Sequence, residues 1–266
     1  MSFKKEKYSH VHLVLDGTEA VSDRFSSKEA AEKIATSCKG KTAVCTSVTS
    51  EKKEALPPKL FYLTAFQKEA NRIFGYTAKQ TLDLAQSLYE KKLLTYPRTD
   101  SNYLTDDMKE TADKVILMLF SKLSFMKSIE FTPEITGLLN SKKVSDHHVV
   151  IPTMELEKTD FSLLPESERN ILFLAGARLL MASASSHVYE TVTATFSCED
   201  HTFTAKGKTV LSSGWKEIER FFLMSVKEKQ EKENEKELPA FCEGERFDSF
   251  PIKVTEHDTL PPKAYT

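Results

Sequence analysis

One segment of this 266-residue chain carries residue types that suit phosphoryl chemistry: Leu93-Leu94-Thr95-Tyr96-Pro97-Arg98-Thr99-Asp100-Ser101-Asn102-Tyr103-Leu104. The backbone before Pro97 is driven extended, and on an extended backbone Tyr96 and Arg98 point the same way. A phenol can act as a covalent nucleophile. A guanidinium offers a fixed fork of donors for non-bridging phosphate oxygens, where charge gathers in a transition state. The competing reading is structural: Tyr96 packs into a core and Arg98 pairs with Asp100.

A second candidate is Asp146-His147-His148-Val149-Val150-Ile151-Pro152-Thr153. Adjacent histidines cannot share one face of a helix or strand, so at most one of them enters a site with Tyr96. A neutral imidazole can relay a proton and a charged one can bind phosphate. A surface or core histidine is the plainer alternative. No third ligand stands at a recognisable spacing from His147 and His148, so no metal site is expected in this chain.

These candidates must be placed by the elements around them. Val11, Leu13 and Leu15 alternate as in a half-buried strand. Ser26 and Glu29 read as a capping box for a helix with Ala30, Ala31, Ile34, Ala35 and Cys38 on one face, closed by Gly40. Thr42 to Thr49 reads as a strand, so residues 1 to about 55 read as strand, helix, strand. Pro57-Pro58 breaks the composition. Thr64 with Gln67 and Thr77 with Gln80 each read as a capping box, the second opening a helix with Leu82, Ala85, Leu88 and Tyr89 as its apolar stripe. Thr105-Asp106-Asp107 starts another helix with carboxylates at its positive end. Pro165 opens a last one through the apolar run 171–184. From Ser186 the period returns to two, through Val188, Glu190, Val192, Ala194 and Phe196, with a turn near Glu199-Asp200 and a returning strand at 202–210. Residues 227–237 carry nine charges in eleven positions and read as a solvated linker. Residues 247–254 read as a final strand.

The fold class expected is therefore α+β: a mainly β domain from residues 1–56 and 185–266, interrupted by a helical domain at 57–184. Neither terminal piece has enough strands to cover its own hydrophobic face. The two should fold together, with chain crossings near residues 56 and 185.

Composition bounds the alternatives. Lys and Arg number 37 against 39 Asp and Glu, a formal charge of −2, which excludes a strongly basic nucleic-acid arm and an acidic tail. With 40% hydrophobic and 29% charged residues the chain reads as soluble and globular. No stretch approaches the ~18 apolar residues of a membrane span. The charged start Met1 to Lys7 has no apolar run behind it, so a cytoplasmic address is expected. Four cysteines without a Cys-x-x-Cys pair read as ordinary thiols.

The run Leu94-Thr95-Tyr96-Pro97-Arg98-Thr99-Asp100-Ser101, with Tyr103-Leu104-Thr105 behind it, resembles the active-site tyrosine motif of type IA DNA topoisomerases. Pro after the Tyr is similar to the bacterial topoisomerase III branch. Supporting matches lie in order along nearly the whole chain. They are Pro57-Pro58 with Leu63-Thr64-Ala65-Phe66-Gln67-Lys68-Glu69-Ala70, the helix from Lys79 to Glu90, His147 to Thr153, and Leu260-Pro261-Pro262-Lys263-Ala264-Tyr265-Thr266. Phe66 stands where an aliphatic residue is commoner and Val149 where Ala is; both are apolar exchanges.

The resemblance implies a β arch domain and a helical tyrosine domain that swings as a gate about residues 56 and 185. Tyr96 would attack a phosphodiester of single-stranded DNA, leaving a 5′-phosphotyrosyl bond and a free 3′-hydroxyl, with no ATP needed for resealing. Arg98 would hold the scissile phosphate. His147, selected by counting five residues back from Pro152, would position the phosphate or relay protons. Thr99 and Asp100 would support Arg98, and Gln67, Lys79 and His148 would support the site or contact DNA. The family's Toprim domain and its Mg²⁺ ligands have no counterpart here, since no Asp-x-Asp occurs. The resemblance therefore implies a central fragment that is inactive alone and binds no Mg²⁺ itself. It would be monomeric, nucleoid-associated, and partnered by single-stranded DNA and by the absent Toprim and C-terminal parts. Residues 56–105 carry seven Lys and Arg against four Asp and Glu, a mild footprint for salt-sensitive binding. Two other readings stay open: a non-enzymatic single-stranded nucleic-acid-binding module, and a scaffold whose helical insertion binds a protein.

Overall fold

A computed structural model of the chain describes residues 4–130, 132–226 and 238–261. The chain forms two compact units. One holds the residues up to Lys53, Tyr189–Leu211 and the terminal strands; the other holds Glu54–Val188 and a helix that follows Ser212.

The first unit is built on a seven-stranded sheet. Its strands are β1 (Lys7–Leu15), β2 (Thr18–Ser22), β3 (Ala43–Ala55), β4 (His187–Cys198), β5 (His201–Ser212), β6 (Arg246–Phe247) and β7 (Ile252–Asp258), in the order β6-β3-β4-β5-β2-β1-β7. β1 pairs antiparallel with both β2 and β7, with His12 opposite Val21 on one side and Lys253 on the other. Alternation sends Val11, Leu13 and Leu15 to one face, where they are buried with Ala31 and Cys38 of helix α1 (Lys28–Cys38) and with Phe196 and Phe203. Full burial of such aliphatic and aromatic side chains contributes roughly 1.5–3 kcal/mol each, which is what holds the strands in this register.

Several local expectations move here. The opening reads strand, strand, helix, strand: the pattern at Thr18–Ser22 is a strand of its own, reached through a turn with Asp16 at φ 45° and Gly17 at φ 79°. The cap of α1 is Ser27, whose hydroxyl accepts from the Ala30 amide at 3.2 Å, in place of Ser26. β3 runs to Ala55, well past Thr49. The expected final strand at 247–254 is two strands at opposite ends of the sheet order: β6 pairs with β3, and β7, which starts after Pro251, pairs with β1. The charged run 227–237 and the motif residues 262–266 lie outside the described residues.

The second unit packs α2 (Leu63–Phe74), α3 (Ala78–Glu90), α4 (Lys109–Lys122), α5 (Glu166–Ala182) and α6 (Trp215–Val226) around one apolar core. α5 is the buried centre, with Leu172, Leu174, Leu179 and Leu180 at 1% exposure or less. Helix α6 corrects the expected continuous β return over 185–266. Its Ile218 and Phe222 are buried in the helical core, and the Trp215 indole N–H donates to the Ala55 carbonyl at 3.0 Å. The chain therefore leaves the β unit a second time after Leu211, beyond the crossings expected near 56 and 185.

Candidate active site

The site grows from the ends of α2 and α3. Tyr62 caps α2 without a side-chain bond, so Thr64 lies inside the helix and the expected Thr64–Gln67 capping box is absent. A free helix N-terminus needs acceptors for its first amides. The Leu63 amide finds one in the Thr99 carbonyl at 3.0 Å, which ties the start of α2 to the tyrosine loop. Gln67 Nε2 donates to the Ala78 carbonyl at 3.0 Å and so joins α2 to the start of α3, where Lys79 is exposed. The Thr77–Gln80 capping box forms as expected, with the Gln80 amide donating to Thr77 Oγ1 at 3.2 Å and the Thr77 amide donating to Gln80 Oε1 at 2.9 Å.

α3 ends in a reversal. Lys92 takes φ 62°, the Leu93 amide reaches back to the Leu88 carbonyl at 2.8 Å, and the Lys92 amide to that of Tyr89 at 2.8 Å. This is the left-handed helix stop that glycine usually makes. The reversal folds the next residues back along α3 and buries Leu93 and Leu94.

The returning segment lies antiparallel to the histidine segment. Thr153 N donates to Leu93 O at 3.1 Å and Thr95 N to Ile151 O at 2.9 Å, and Leu94 bridges Pro152. Pro97 and Pro152 supply no amides, so the contact never becomes a regular ladder. Hydroxyls complete it. Thr95 Oγ1 donates to Val149 O at 2.9 Å and accepts from the Ile151 amide at 3.0 Å. Thr99 Oγ1 donates to His147 O at 2.7 Å and accepts from the Ser101 amide at 3.1 Å. Two threonines thus bracket Tyr96 and fix its backbone against that of His147.

Tyr96 is half-buried, and its ring centroid lies 4.4 Å from that of His147 and 5.3 Å from that of Tyr89. Among the described residues its hydroxyl has no hydrogen-bond partner. Arg98 is exposed and makes no ion pair among the described residues. The alternative pairing of Arg98 with Asp100 is not formed: Asp100 Oδ1 accepts from Ser145 Oγ at 3.3 Å. Among the described residues, then, a phenol and a guanidinium two positions apart are unspent on internal bonds.

Of the two histidines, His147 is the ring that meets Tyr96 and is itself exposed. His148 turns the other way, is half-buried, and its Nδ1 donates to the Val149 carbonyl at 2.9 Å. Burial lowers the His148 pKa from the ordinary imidazole value, against the opposing pull of that hydrogen bond. Thr99, expected beside Arg98, spends its hydroxyl on the His147 backbone instead. Gln67 and Lys79 lie at the α2–α3 junction, and no contact among the described residues joins either to Tyr96.

Two participants escaped the reading of the sequence. Thr95 was visible only as a motif letter, and Tyr89 only as part of an apolar stripe. The Tyr89 ring is instead 41% exposed and turned edge-to-face onto Tyr96, with an interplanar angle of 73°. A glycine at the end of α3 would have signalled the reversal that joins them, but Lys92 stands there.

Among the described residues no group of three His, Cys, Asp or Glu side chains is placed to hold a metal ion. None of their helices is long and apolar enough to cross a membrane. The cysteines are free thiols, Cys38, Cys45 and Cys198 buried and Cys242 exposed. Burial, with the neighbouring Cys38 thiol, pushes the Cys198 pKa up to about 12, so it is not a nucleophile at neutral pH.

Known proteins were compared with this chain. Its whole length, residues 1–266, matches the family model described as DNA topoisomerase. It is 32% identical over 247 residues to DNA topoisomerase 3 of Bacillus subtilis, covering 91% of this chain and 33% of that protein. It is 32% identical over 272 residues to DNA topoisomerase 3 of Staphylococcus aureus, covering 99% of this chain and 36% of that protein. The chain thus spans about a third of the length of these curated relatives. Full-length topoisomerase I from Thermotoga maritima shares the fold, with a TM-score of 0.71 at 22% identity over 99% of this chain and 42% of that one. A match along every residue, with relatives at this identity, leads to one conclusion: the chain belongs to the DNA topoisomerase family, as the type IA tyrosine motif implied.

Proposed function

We propose that this chain is the tyrosine-bearing part of an ATP-independent type IA topoisomerase that breaks and rejoins one DNA strand through Tyr96. The observation that carries the reading is the state of Tyr96: its ring rests on His147 at 4.4 Å while its hydroxyl is uncommitted. A hydroxyl without an internal partner is free to meet a phosphate, whereas a fully buried structural tyrosine usually has its hydroxyl bonded.

In the proposed step the Tyr96 phenolic oxygen attacks the scissile phosphorus of single-stranded DNA. The bond to the 3′ oxygen breaks as the new bond forms, the phenol gives up its proton, and the departing 3′ oxygen takes one. One phosphodiester replaces another, so the reverse step reseals the strand without ATP. A phenol with a typical pKa of ~10 is mostly protonated at neutral pH, so proton removal must be assisted. His147 is the titratable ring in contact with Tyr96 and is assigned to hold or pass that proton. Arg98, exposed and without an ion pair among the described residues, is assigned to the non-bridging oxygens. Asp100, Gln67, Lys79 and His148 support the loop and the approach of the strand, and Thr99 acts through the His147 backbone.

Type IA chemistry draws on Mg²⁺, which supplies charge neutralisation at the phosphate. Among the described residues no group of three His, Cys, Asp or Glu is placed to hold it, and its site is assigned to the Toprim region of a longer polypeptide. The helical unit is read as the moving gate and the sheet unit as the arch.

The test is covalent capture. A polypeptide of the relatives' full length, carrying this chain, is incubated with an end-labelled single-stranded oligonucleotide and denatured. The expected result is a 5′-phosphotyrosyl adduct mapped to Tyr96, absent in Tyr96→Phe. An adduct that persists undiminished in Tyr96→Phe overturns the reading.

A further inference from the structure

We propose that Tyr89 is a positioning residue for the nucleophile: its ring, presented by the last turn of α3, holds the Tyr96 ring against His147. The inference rests on Tyr96 being the nucleophile and adds a residue to which no part of the mechanism above gives a role.

Two observations carry it. The Tyr96 backbone is fixed by the Thr95 and Thr99 bonds, but its side chain keeps two torsions that those bonds do not restrain. The ring then has an aromatic neighbour on two sides, His147 at 4.4 Å with planes inclined by 51° and Tyr89 at 5.3 Å with planes inclined by 73°. Edge-to-face pairs of this kind are directional, so Tyr89 restricts the torsions that aim the hydroxyl.

Tyr89 is itself firmly mounted. The Lys92 amide holds its carbonyl at 2.8 Å. Two residues to either side of it, Ser87 Oγ (2.8 Å) and Lys91 Nζ donate to the buried Glu168 of α5, which ties the end of α3 to the core helix. Burial raises the Glu168 pKa, but the bonds from Lys91 and Ser87 outweigh it and hold the carboxylate below its ordinary range, so the tie is ionic at neutral pH.

Core packing does not account for Tyr89, because 41% of the residue faces solvent. An exposed tyrosine whose ring nonetheless engages the unbonded phenol seven residues later is placed by the reversal at Lys92, and the reversal is what makes the pair meet. Attack on phosphorus requires the nucleophilic oxygen within a narrow range of distance and direction, and a misplacement of ~1 Å costs on the order of 100-fold in rate.

The experiment is single-turnover cleavage of a labelled single-stranded oligonucleotide by the full-length polypeptide, with enzyme saturating, alongside oligonucleotide affinity and thermal unfolding. Tyr89→Ala should lower the cleavage rate constant by roughly tenfold or more. Affinity should stay within about twofold, because an aiming defect does not change ground-state binding. Tyr89→Phe should recover the rate to within about twofold, since the contact needs the ring and not the hydroxyl. If Tyr89→Ala unfolds, Tyr89→Leu, which keeps apolar bulk but no ring, serves in its place and should show the same loss. A wild-type rate in the ringless variant overturns the inference. So does a loss that appears only as weaker oligonucleotide binding, which would make Tyr89 a base-stacking platform, or a failure of Phe to restore the rate. Tyr96→Phe is run in parallel. An adduct surviving there overturns the reading beneath, whereas its loss together with a normal Tyr89→Ala overturns the positioning role alone.

Discussion

Replacing Thr95 by valine removes one oxygen from the site and almost no volume, and the structure allows its cost to be worked out. The hydroxyl makes two bonds, donating to Val149 O at 2.9 Å and accepting from the Ile151 amide at 3.0 Å. The two losses differ. Val149 O keeps a second donor in His148 Nδ1 at 2.9 Å, so its penalty is small. The Ile151 amide has no such reserve and belongs to a residue 1% exposed. A buried amide stranded in this way costs about 1–3 kcal/mol, and the lost bond to Val149 adds roughly 0.5 kcal/mol at the low end of the usual range. The expected destabilisation is about 1.5–3.5 kcal/mol, which lowers the melting temperature of a domain of roughly 150 residues by about 3–14 °C. Calorimetry or circular dichroism reads the shift. Thr95→Ser, which keeps the hydroxyl, should recover most of it. A Thr95→Val melting temperature within about 1 °C of wild type refutes the claim that this hydroxyl joins the two segments.

Gly214 sits at φ 51°, and a Cβ there would lie 2.3 Å from the Ser186 carbonyl oxygen and 2.5 Å from that of Ser185. Gly214→Ala should therefore cost about 2–3 kcal/mol, read as a lower unfolding midpoint; an unchanged midpoint would show that the chain entering α6 shifts freely. The pH dependence of the sheet unit follows from His12. Burial lowers its pKa below the ordinary 6.5, against the pull of Glu19 and with the aid of His10 and His257. The unfolded chain takes up the proton first as pH falls, so stability is full above about 6.5 and declines below it until the folded-state pKa is passed. Denaturant midpoints from pH 7.5 to 5.0 should fall, and His12→Gln should flatten the decline; an equal slope in both proteins would assign it to other groups.

The fold class was legible because it depends on short-range periodicity. Alternation at Val11, Leu13 and Leu15 and the Thr77–Gln80 capping box are decided within a few residues, and they stand as expected. Signals a residue or two out of place came from the same source. Ser26 and Ser27 are both competent caps, and only the path of the strand before α1 selects the second. Thr64 and Gln67 match the capping spacing, but α2 starts earlier because the Thr99 carbonyl, far along the chain, receives its first amide. Helix α6 was missed for a different reason. Its local signal was present, with Trp215, Ile218 and Phe222 at helical spacing, and what the sequence did not show is that this face packs in the helical core, with Phe222 on Phe125 at 5.9 Å.

By itself the sequence determined the chemistry on offer: a tyrosine, an arginine two residues later and a histidine pair, in an order and spacing that resemble one family. Residue type and local backbone preference are enough for that. Only the tertiary structure decided which histidine meets Tyr96, that Arg98 does not pair with Asp100, that Thr99 serves His147, and that Tyr89 stands beside the phenol. Each of these depends on bringing together segments about fifty residues apart, or on a left-handed turn at a lysine, and hydrogen bonds of that reach leave no periodic trace in a chain.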